Sequence, residues 1–201
     1  MTGWELISII IAVIGGYLLG SIPFGLVLTR MAGLGDIREI GSKNIGATNV
    51  LRTGRKDLAA ATLILDAAKA GIAALIFAAL FNPTAGLVAG GAAFLGHCFP
   101  VWLKFKGGKG VATFYGTLFA VAWPVGILAA LTWIGMALLL RISSLSALVA
   151  AALAPLIAYL FDMPGVALLC LFLAALIFWR HRANIQRLMS GEEPRIGAKP
   201  A

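Results

Sequence analysis

The sequence predicts an all-α membrane protein built as a bundle of seven transmembrane helices. Of its 201 residues, 61% are hydrophobic and only 12% are charged, and the mean hydropathy is +0.97. A soluble domain carries about twice this share of charged residues. The apolar residues occur in long runs, as in membrane helices, whereas the short alternating segments of a membrane β-barrel are not found. We therefore treat residues 1–201 as one integral membrane domain.

Seven apolar runs follow one another along the chain. They are residues 4–24, 58–81, 84–100, 111–122, 125–140, 145–160 and 166–179. The fourth and the seventh are short for a membrane span, which needs about 20 residues. Three of the connections are predicted to be tight turns, at residues 82–83, 123–124 and 162–165. In the first run, Gly16 and Gly20 are four residues apart, a spacing that allows two helices to approach closely.

The basic residues predict the orientation of these helices. Of the 16 Lys and Arg residues, six lie in residues 25–57, three in 101–110, one at Arg141 and five after residue 179, and Lys69 lies inside the second run. Seven spans put all four basic segments on one side, whereas an even number would scatter them. Because basic loops face the cytoplasm, we expect the N-terminus outside and the C-terminus in the cytoplasm. The net charge of +8 then reflects topology and does not indicate a nucleic-acid partner.

The polar and reactive side chains fall on the same predicted cytoplasmic side. They lie in four stretches, residues 25–57, 96–113, 141–144 and 180–197, while the outer turns are short and carry no Lys or Arg. A transporter or receptor usually needs functional residues on both sides, so this distribution favours an enzyme at the inner leaflet. The alternatives are a transporter of a phosphorylated metabolite and a protein that only recruits lipid enzymes.

Two ionisable residues, Asp66 and Lys69, lie inside the second apolar run. They are three residues apart and therefore share one face of a helix. Charged groups inside a membrane usually face the interior of a bundle and pair with each other. We predict an internal ion pair that fixes helix packing, in preference to a direct catalytic role. A transporter would use the same pair as a gate.

Residues 96–113 hold the strongest candidate for a ligand-binding loop. His97 ends the third run, and three lysines and three glycines follow it: Lys104, Lys106, Lys109, Gly107, Gly108 and Gly110. Successive glycine N–H groups can form a nest for an anion, and lysines add positive charge. The loop is not a Walker A motif, because Lys109 is followed by Gly110 instead of Ser or Thr. The alternative is a basic loop that contacts anionic lipid head groups.

Other polar residues of the predicted cytoplasmic side are candidates for substrate contacts. They are Ser42, Asn44, Thr48, Asn49, Arg52, Ser143, Ser144 and Asn184. An arginine can bind a phosphate through two hydrogen bonds, whereas Ser, Thr and Asn also serve as helix caps. No cluster has the spacing of a metal site, and we expect no metal or cofactor. Cys98 and Cys170 are expected to be small buried residues.

These segments together resemble the bacterial acyl-phosphate-dependent glycerol-3-phosphate acyltransferases, the PlsY family. The resemblance spans nearly the whole chain and is carried by residues 20–25, 41–52, 65–69, 96–113 and 181–185, with Gly191, Glu192 and Gly197. Two departures are Lys43, where a glycine is expected, and Pro194-Arg195, where a lysine is expected nearby. Neither removes a residue to which the resemblance assigns a role.

The resemblance implies a multi-pass protein of the bacterial cell inner membrane with its active site on the cytoplasmic side. Its reaction would move a fatty acyl group from acyl phosphate to the sn-1 hydroxyl of glycerol 3-phosphate. The products would be 1-acyl-glycerol 3-phosphate and phosphate, in the first acylation of bacterial phospholipid synthesis. The functional partners implied are the enzyme that forms acyl phosphate and the acyltransferase that acts next.

Roles for the candidate residues follow from this reaction. Residues 107–110, with Lys104, Lys106 and Lys109, would hold the acyl-phosphate head group. Glycerol 3-phosphate would be positioned by the first polar loop, through Ser42, Asn44, Thr48, Asn49 and Arg52. The pocket would be completed by Ser143, Ser144 and Asn184. His97 would either take the proton of the attacking hydroxyl or orient the substrates, and the departing phosphate could accept that proton instead.

Overall fold

The structure is a computed structural model that describes residues 2–197. Within that range the chain forms α-helices, short 3-10 turns and loops, with no strand. The helices are α1 Gly3–Gly20, α2 Phe24–Met31, α3 Ala47–Val50, α4 Lys56–Leu80, α5 Pro83–Cys98, α6 Val111–Val121, α7 Trp123–Leu140, α8 Ser143–Leu160, α9 Pro164–Arg180 and α10 Arg182–Met189. The prediction of an all-α protein is therefore confirmed. Lys199, one of the basic residues of the predicted cytoplasmic tail, lies outside the described residues.

The chain divides into two compact units, the first ending at Val121 and the second starting at Ala122. In the first unit, α1 packs against α5, α5 packs against α4, and α4 packs against α6. In the second unit, α7 packs against α8, α8 packs against α9, and α10 contacts α9. Each unit therefore has its own helix-packing core.

Glycines bring α1 and α5 into close contact. A Cβ atom placed on Gly16 would lie 2.4 Å from the Ala89 carbonyl oxygen, and one on Gly20 would lie 2.0 Å from that of Ala93. No larger side chain fits at either position. The close helix contact predicted from the spacing of these two glycines is confirmed, and small residues at such contacts are typical of membrane helices.

On α4, small residues are buried against neighbouring helices, whereas large apolar residues point away from them. On α4, Ala70, Ala73 and Ala74 are buried, whereas Ile64 is 64% exposed and Leu75 is 56% exposed. In water this arrangement would leave the large apolar side chains in contact with solvent. In a bilayer these side chains meet lipid, because no hydrophobic driving force buries them between helices.

The seven apolar runs all form helices, but the helices differ in length. Five candidate spans are long and apolar enough to cross a membrane: residues 3–31, 56–80, 83–103, 123–140 and 143–160. A sixth is obtained if α9 and α10, which are bent by 63° relative to each other, count as one span. With 11 residues, α6 is shorter than a full span. The described residues therefore form a multi-pass membrane protein with five or six candidate spans.

The predicted end of the first run is wrong by a few residues. It was expected to run to residue 24, but α1 ends at Gly20 and a second helix follows from Phe24 to Met31. Pro23 lies in the break, and proline ends a helix because it lacks an N–H and its ring collides with the preceding turn. The break leaves the carbonyl oxygen of Ile22 outside the regular helix pattern, and this oxygen becomes part of the site described below.

Candidate functional site

The loop after α5 folds back onto the end of that helix. The N–H of Gly107 donates to the carbonyl oxygen of Cys98 at 3.1 Å, and the N–H of Gly108 donates to that of His97 at 3.0 Å. A helix leaves its last carbonyl groups without intrahelical partners, and these two bonds satisfy two of them. Gly107 and Gly108 were predicted to offer their N–H groups to an anion. In the structure those groups cap α5.

Gly108 lies against the imidazole ring of His97. A Cβ atom at position 108 would be 2.0 Å from His97 Nε2, so only glycine fits here without moving the ring. Gly110 has a φ of +84°, which favours glycine. Lys104 and Lys106 are exposed and Lys109 is partly buried. The predicted histidine and the predicted glycine turn are therefore in contact, and the three lysines lie on the same loop.

A buried ion pair continues from α4 to His97. Lys69 Nζ donates to Asp66 Oδ1 at 2.7 Å, and both residues are almost fully buried. The predicted internal ion pair is therefore present. Lys69 Nζ also lies 3.0 Å from His97 Nδ1 and donates to the carbonyl oxygen of Ile22 at 2.7 Å. One lysine thus connects the α1–α2 break, α4 and the end of α5.

The link between Lys69 and His97 was missed in the sequence. The two residues are 28 positions apart, and nothing in either apolar run shows which faces of two helices meet. The available signal was that each run holds a polar residue, Lys69 in the middle of the second run and His97 near the end of the third. An ionisable residue within a membrane span usually has a partner in the bundle, and His97 was a candidate in addition to Asp66.

The loop of residues 41–52 is organised around the side chain of Asn49. Its Nδ2 lies within hydrogen-bonding distance of the carbonyl oxygens of Ile37, Ile40 and Asn44, at 2.9, 3.2 and 2.8 Å. Its Oδ1 accepts from the N–H of Ser42 at 3.0 Å. Asn49 is 1% exposed. A substrate contact was predicted for Asn49, but in the structure its amide group holds the loop in shape.

The remaining candidates in this loop are more accessible. Ser42, Thr48 and Arg52 are exposed, and Asn44 is partly buried with its Oδ1 accepting from the Gly46 N–H at 3.0 Å. The guanidinium of Arg52 lies beside Gly41, where an added Cβ would be 2.8 Å from Arg52 Nη1. A hydroxyl pair and a guanidinium group are therefore presented on the surface of one ordered loop.

Two arginines and an aspartate brace the segment before this loop. Arg30 Nη2 and Arg38 Nη2 lie 2.8 and 2.5 Å from Asp36 Oδ2. Hydrogen bonding from Arg38 is the main reason that the pKa of Asp36 lies well below the ordinary range of an aspartate. The carboxylate is thus charged at neutral pH and neutralises part of the basic charge of residues 25–57.

The two predicted loops of the first unit meet over a shared apolar cluster. Ile45 and Val50, from the first loop, belong to a buried cluster that also contains Leu26. Leu103, from the loop after α5, packs against the same cluster. The two loops are therefore on the same side of the first unit, as their predicted common substrate site requires.

The polar cluster of the second unit is centred on Glu193. Ser144 Oγ, Asn184 Nδ2 and Arg187 Nε donate to its carboxylate at 2.7, 2.5 and 2.7 Å. Burial raises the pKa of Glu193, but these three donors outweigh it and the net shift is downward. Ser144 and Asn184 were predicted to bind substrate. The structure brings them together, with the tail carboxylate as their shared acceptor.

The tail also bonds to the loop before α8. The N–H of Ile196 donates to the Arg141 carbonyl oxygen at 2.6 Å, and Arg141 Nη2 donates to the Ile196 carbonyl oxygen at 3.1 Å. Ser143 begins α8 and is partly buried. Next to the cluster, α8, α9 and α10 form an apolar groove of about 480 Å³, lined in part by Leu145, Leu148 and Ile185.

The second histidine, His181, was noted in the sequence only as part of a motif. It is 3% exposed, and its Nδ1 lies 2.8 Å from the carbonyl oxygen of Ile177. No group of three potential metal ligands occurs within the described part of the chain. Cys98 and Cys170 are buried, as predicted, and neither forms a disulfide bond within the described part of the chain.

Comparison with known proteins decides the family. A family model described as "Glycerol-3-phosphate acyltransferase" matches residues 10–191. The chain belongs to the glycerol-3-phosphate acyltransferase family. Proteins named glycerol-3-phosphate acyltransferase include one from Maricaulis maris, 67% identical over 97% of this chain and 90% of the relative. Another, from Caulobacter vibrioides, is 65% identical over 94% of this chain and 88% of the relative.

Two solved structures of a member of this acyltransferase family are also similar. Both are crystal structures of PlsY (YgiH), described as an integral membrane glycerol 3-phosphate acyltransferase. The glycerol 3-phosphate form has a TM-score of 0.89 and 41% identity, over 94% of this chain and 96% of that chain. The lysophosphatidic acid form has a TM-score of 0.87 and 40% identity over the same shares.

Proposed function

We propose that this chain transfers a fatty acyl group from acyl phosphate to the sn-1 hydroxyl of glycerol 3-phosphate, giving 1-acyl-glycerol 3-phosphate and phosphate. The observation that carries the proposal is the similarity, at 41% identity over 94% of the chain, to PlsY in its glycerol 3-phosphate form. The second PlsY structure is a lysophosphatidic acid form, which fits the product. This reaction would be the first acylation of phospholipid synthesis.

The proposed reaction does not need a nucleophilic triad, a metal or a cofactor. An acyl phosphate is a mixed anhydride, so its carbonyl carbon is already activated and phosphate is a ready leaving group. The hydroxyl oxygen forms a bond to that carbon, the carbon–oxygen bond to phosphate breaks, and the hydroxyl proton passes to a base or to the phosphate. Catalysis can then rest on positioning and charge stabilisation.

The loop after α5 is proposed to hold the acyl-phosphate head group. Lys104, Lys106 and Lys109 supply positive charge, and His97, near the end of α5, lies against the glycine turn. Gly107 and Gly108 shape the turn through their bonds to the end of α5. Anionic lipid also attracts such a loop, so the same lysines would draw the charged end of the lipid substrate towards the site.

Residues 41–52 are proposed to bind glycerol 3-phosphate. Ser42, Thr48 and Arg52 have accessible side chains, and the guanidinium of Arg52 is suited to two parallel bonds with a phosphate. Asn44 is the fourth candidate ligand. Asn49 acts indirectly, since its buried amide fixes the backbone that carries the others.

We propose that Ser143 of the second unit binds substrate. Ser144 and Asn184 would act indirectly, by holding the carboxylate of Glu193. The apolar groove formed by α8, α9 and α10 has the chemistry of an acyl-chain site, because its lining is almost entirely hydrocarbon. Leu145 and Ile185 of that groove directly follow Ser144 and Asn184 in the sequence. The polar cluster thus borders a place where a fatty chain could lie.

We also propose the finer topology. Seven spans, with the N-terminus outside and the C-terminus in the cytoplasm, would put every basic loop on the cytoplasmic side. This arrangement requires α6 and α9 to cross the membrane as short helices. The protein would then lie in the bacterial cell inner membrane, between the enzyme that forms acyl phosphate and the acyltransferase that uses its product.

The test is turnover by the purified protein in lipid nanodiscs, with fatty acyl phosphates of several chain lengths and labelled glycerol 3-phosphate. We expect labelled lysophosphatidate and free phosphate in equal amounts. Uptake of glycerol 3-phosphate into sealed proteoliposomes without an acyl donor, and no acylation, would favour the transporter. Absence of both activities in the pure protein would favour a protein that recruits other enzymes.

A further inference from the structure

The ammonium group of Lys69 has as many close partners as it has N–H donors. An ammonium group carries three donors and no acceptor. Its three neighbours are Asp66 Oδ1 at 2.7 Å, the Ile22 carbonyl oxygen at 2.7 Å and His97 Nδ1 at 3.0 Å. The first two can only accept. The third N–H therefore points to the imidazole ring, and Nδ1 of His97 accepts it.

This contact fixes where His97 carries its own proton. A neutral imidazole has one donor nitrogen and one acceptor nitrogen. Because Nδ1 accepts from Lys69, the proton resides on Nε2. That nitrogen faces the glycine turn, as shown by the 2.0 Å between Nε2 and a Cβ placed on Gly108. The ring thus directs an N–H group towards the loop that is proposed to hold the acyl-phosphate head.

We infer that Lys69 is a positioning residue that keeps His97 in the tautomer with Nε2 protonated, so that His97 donates a hydrogen bond to the reacting acyl phosphate. This inference rests on the proposed function. An Nε2 that already carries a proton does not accept the hydroxyl proton. His97 therefore stabilises charge on the donor substrate, and the proton is taken elsewhere.

The surroundings explain why a lysine is needed to hold this tautomer. Asp66 Oδ1 lies 3.6 Å from His97 Nδ1. Without the ammonium group, the carboxylate would attract a proton to Nδ1 and leave Nε2 as an acceptor. The Lys69 ammonium contacts both groups and reverses this preference. The Ile22 carbonyl oxygen, in the break between α1 and α2, accepts the remaining N–H and holds the ammonium in place.

The principal test is Lys69→Met, with Lys56→Met as the matched control on the exposed start of the same helix. We expect kcat of the Lys69 variant to fall about 10²–10³-fold, the usual loss when one preorganised donor is removed. Its KM for glycerol 3-phosphate should change little, because the predicted ligands of that substrate lie in another loop. Lys56→Met should keep wild-type kinetics.

A second variant separates positioning from simple structural support. Lys69→Met leaves a buried carboxylate without its cation, so the protein can lose stability. The double variant Asp66→Asn/Lys69→Met has neither buried charge and should unfold at a higher temperature than the single variant. Its kcat should nevertheless stay about 10²–10³-fold low, because no cation fixes the tautomer of His97.

The outcomes distinguish the inference from the proposed function. Recovery of wild-type kcat by the double variant, or a Lys69→Met enzyme with nearly normal kcat, would overturn the positioning role. Absence of turnover in both the wild type and Lys56→Met would instead refute the acyltransferase assignment. A low kcat in both Lys69 variants, beside an active control, would support the inference.

Discussion

The two histidines of this chain lie in different units and have opposite hydrogen-bond patterns. Both are 3% exposed. Nδ1 of His97 faces the Lys69 ammonium, whereas Nδ1 of His181 faces the Ile177 carbonyl oxygen at 2.8 Å. A carbonyl only accepts, so a neutral His181 carries its proton on Nδ1 and its lone pair on Nε2. The partner at Nδ1, more than burial, thus decides what the other ring nitrogen can do.

The polar networks of the two units are opposite in charge and differ in exposure. The first is centred on a cation, Lys69. The side chains of Lys69 and its partner Asp66 are 3% and 2% exposed. The second is centred on a carboxylate, Glu193, whose partner Arg187 is 40% exposed. Removing one partner of an ion pair destabilises a protein more when the remaining charge is buried than when it is exposed. Breaking the first network should therefore have the larger effect.

The largest effect is expected for Asp66→Asn. It leaves the Lys69 ammonium buried without a counter-charge, which destabilises a protein by about 3–5 kcal/mol. We expect a strongly lowered unfolding temperature in nanodiscs and little active enzyme. Asp57→Asn is the control, because Asp57 pairs with Arg55 on the surface and its side chain is 62% exposed. Equal unfolding temperatures for the two variants would contradict the expected difference between a buried and an exposed ion pair.

A steric change at Gly108 should reduce turnover without removing any polar group. In Gly108→Ala the added methyl group would have to displace His97 Nε2, which lies 2.0 Å from its position. A displacement of about 1 Å near reacting groups can lower the rate about 100-fold, and we expect kcat to fall by this factor. Gly135→Ala is the control, since among the described residues no atom outside its own stretch of helix lies within 4 Å of its added Cβ. Normal kcat in Gly108→Ala would show that the ring position is unimportant.

A substitution on the first polar loop should affect binding more than turnover. Arg52→Ala is expected to raise the apparent KM for glycerol 3-phosphate about tenfold, which corresponds to about 1.4 kcal/mol, with a smaller change in kcat. Arg55→Ala, three residues further along, serves as the comparison because Arg55 already pairs with Asp57. An unchanged KM in Arg52→Ala would remove this residue from the glycerol 3-phosphate site.

In the second unit, Glu193→Gln should release the tail while the helices stay folded. It removes the charge that accepts from Ser144, Asn184 and Arg187, and a hydrogen bond to a charged group is worth about 1.5–3 kcal/mol. We expect faster trypsin cleavage after Arg195 and faster exchange of the Ile196 amide. Glu192→Gln, whose only described side-chain bond is to Ser190, should leave both rates unchanged. Slow cleavage in Glu193→Gln would show that the carboxylate does not hold the tail.

The smallest effect is the pH dependence of the same contact. The pKa of Glu193 is lowered in the folded protein, so its bonds stabilise the tail at pH values above the ordinary pKa of a glutamate. That stabilisation is lost as the pH falls through the lowered folded-state pKa. Acid release of the tail, followed by amide exchange at Ile196, should therefore occur below the ordinary glutamate range. Release at or above that range would contradict the assigned partners.

The sequence predicted those parts of the structure that depend on local patterns. Apolar runs gave the helices, and the spacing of Gly16 and Gly20 gave a helix contact. Pro83, Pro124 and Pro164 were predicted to lie in turns, but they lie in the first turns of α5, α7 and α9. The end of the first helix was predicted at residue 24, past the break at Ser21–Pro23, because the apolar run continues beyond the proline. Charge patterns also identified Asp66 with Lys69, since residues three apart on a helix share a face.

The parts that could not be predicted depend on which residues meet across long separations. The Ile22 carbonyl and His97 are 47 and 28 positions from Lys69, and no local pattern encodes either contact. Asn49 and Ser144 looked like surface donors because their residue types are polar. The structure instead uses both to hold segments of the chain in place, and it is the tertiary fold that decides between these uses.

The measurement that bears most directly on this account is the nitrogen-15 NMR spectrum of histidine-labelled protein in nanodiscs at neutral pH. Its ring-nitrogen signals show which nitrogen of each histidine carries a proton, and His97→Gln and His181→Gln variants assign them. We predict a protonated Nε2 with an unprotonated Nδ1 in His97, and the reverse in His181. A proton on Nδ1 of His97 would contradict the role given to Lys69 and the contrast between the two units.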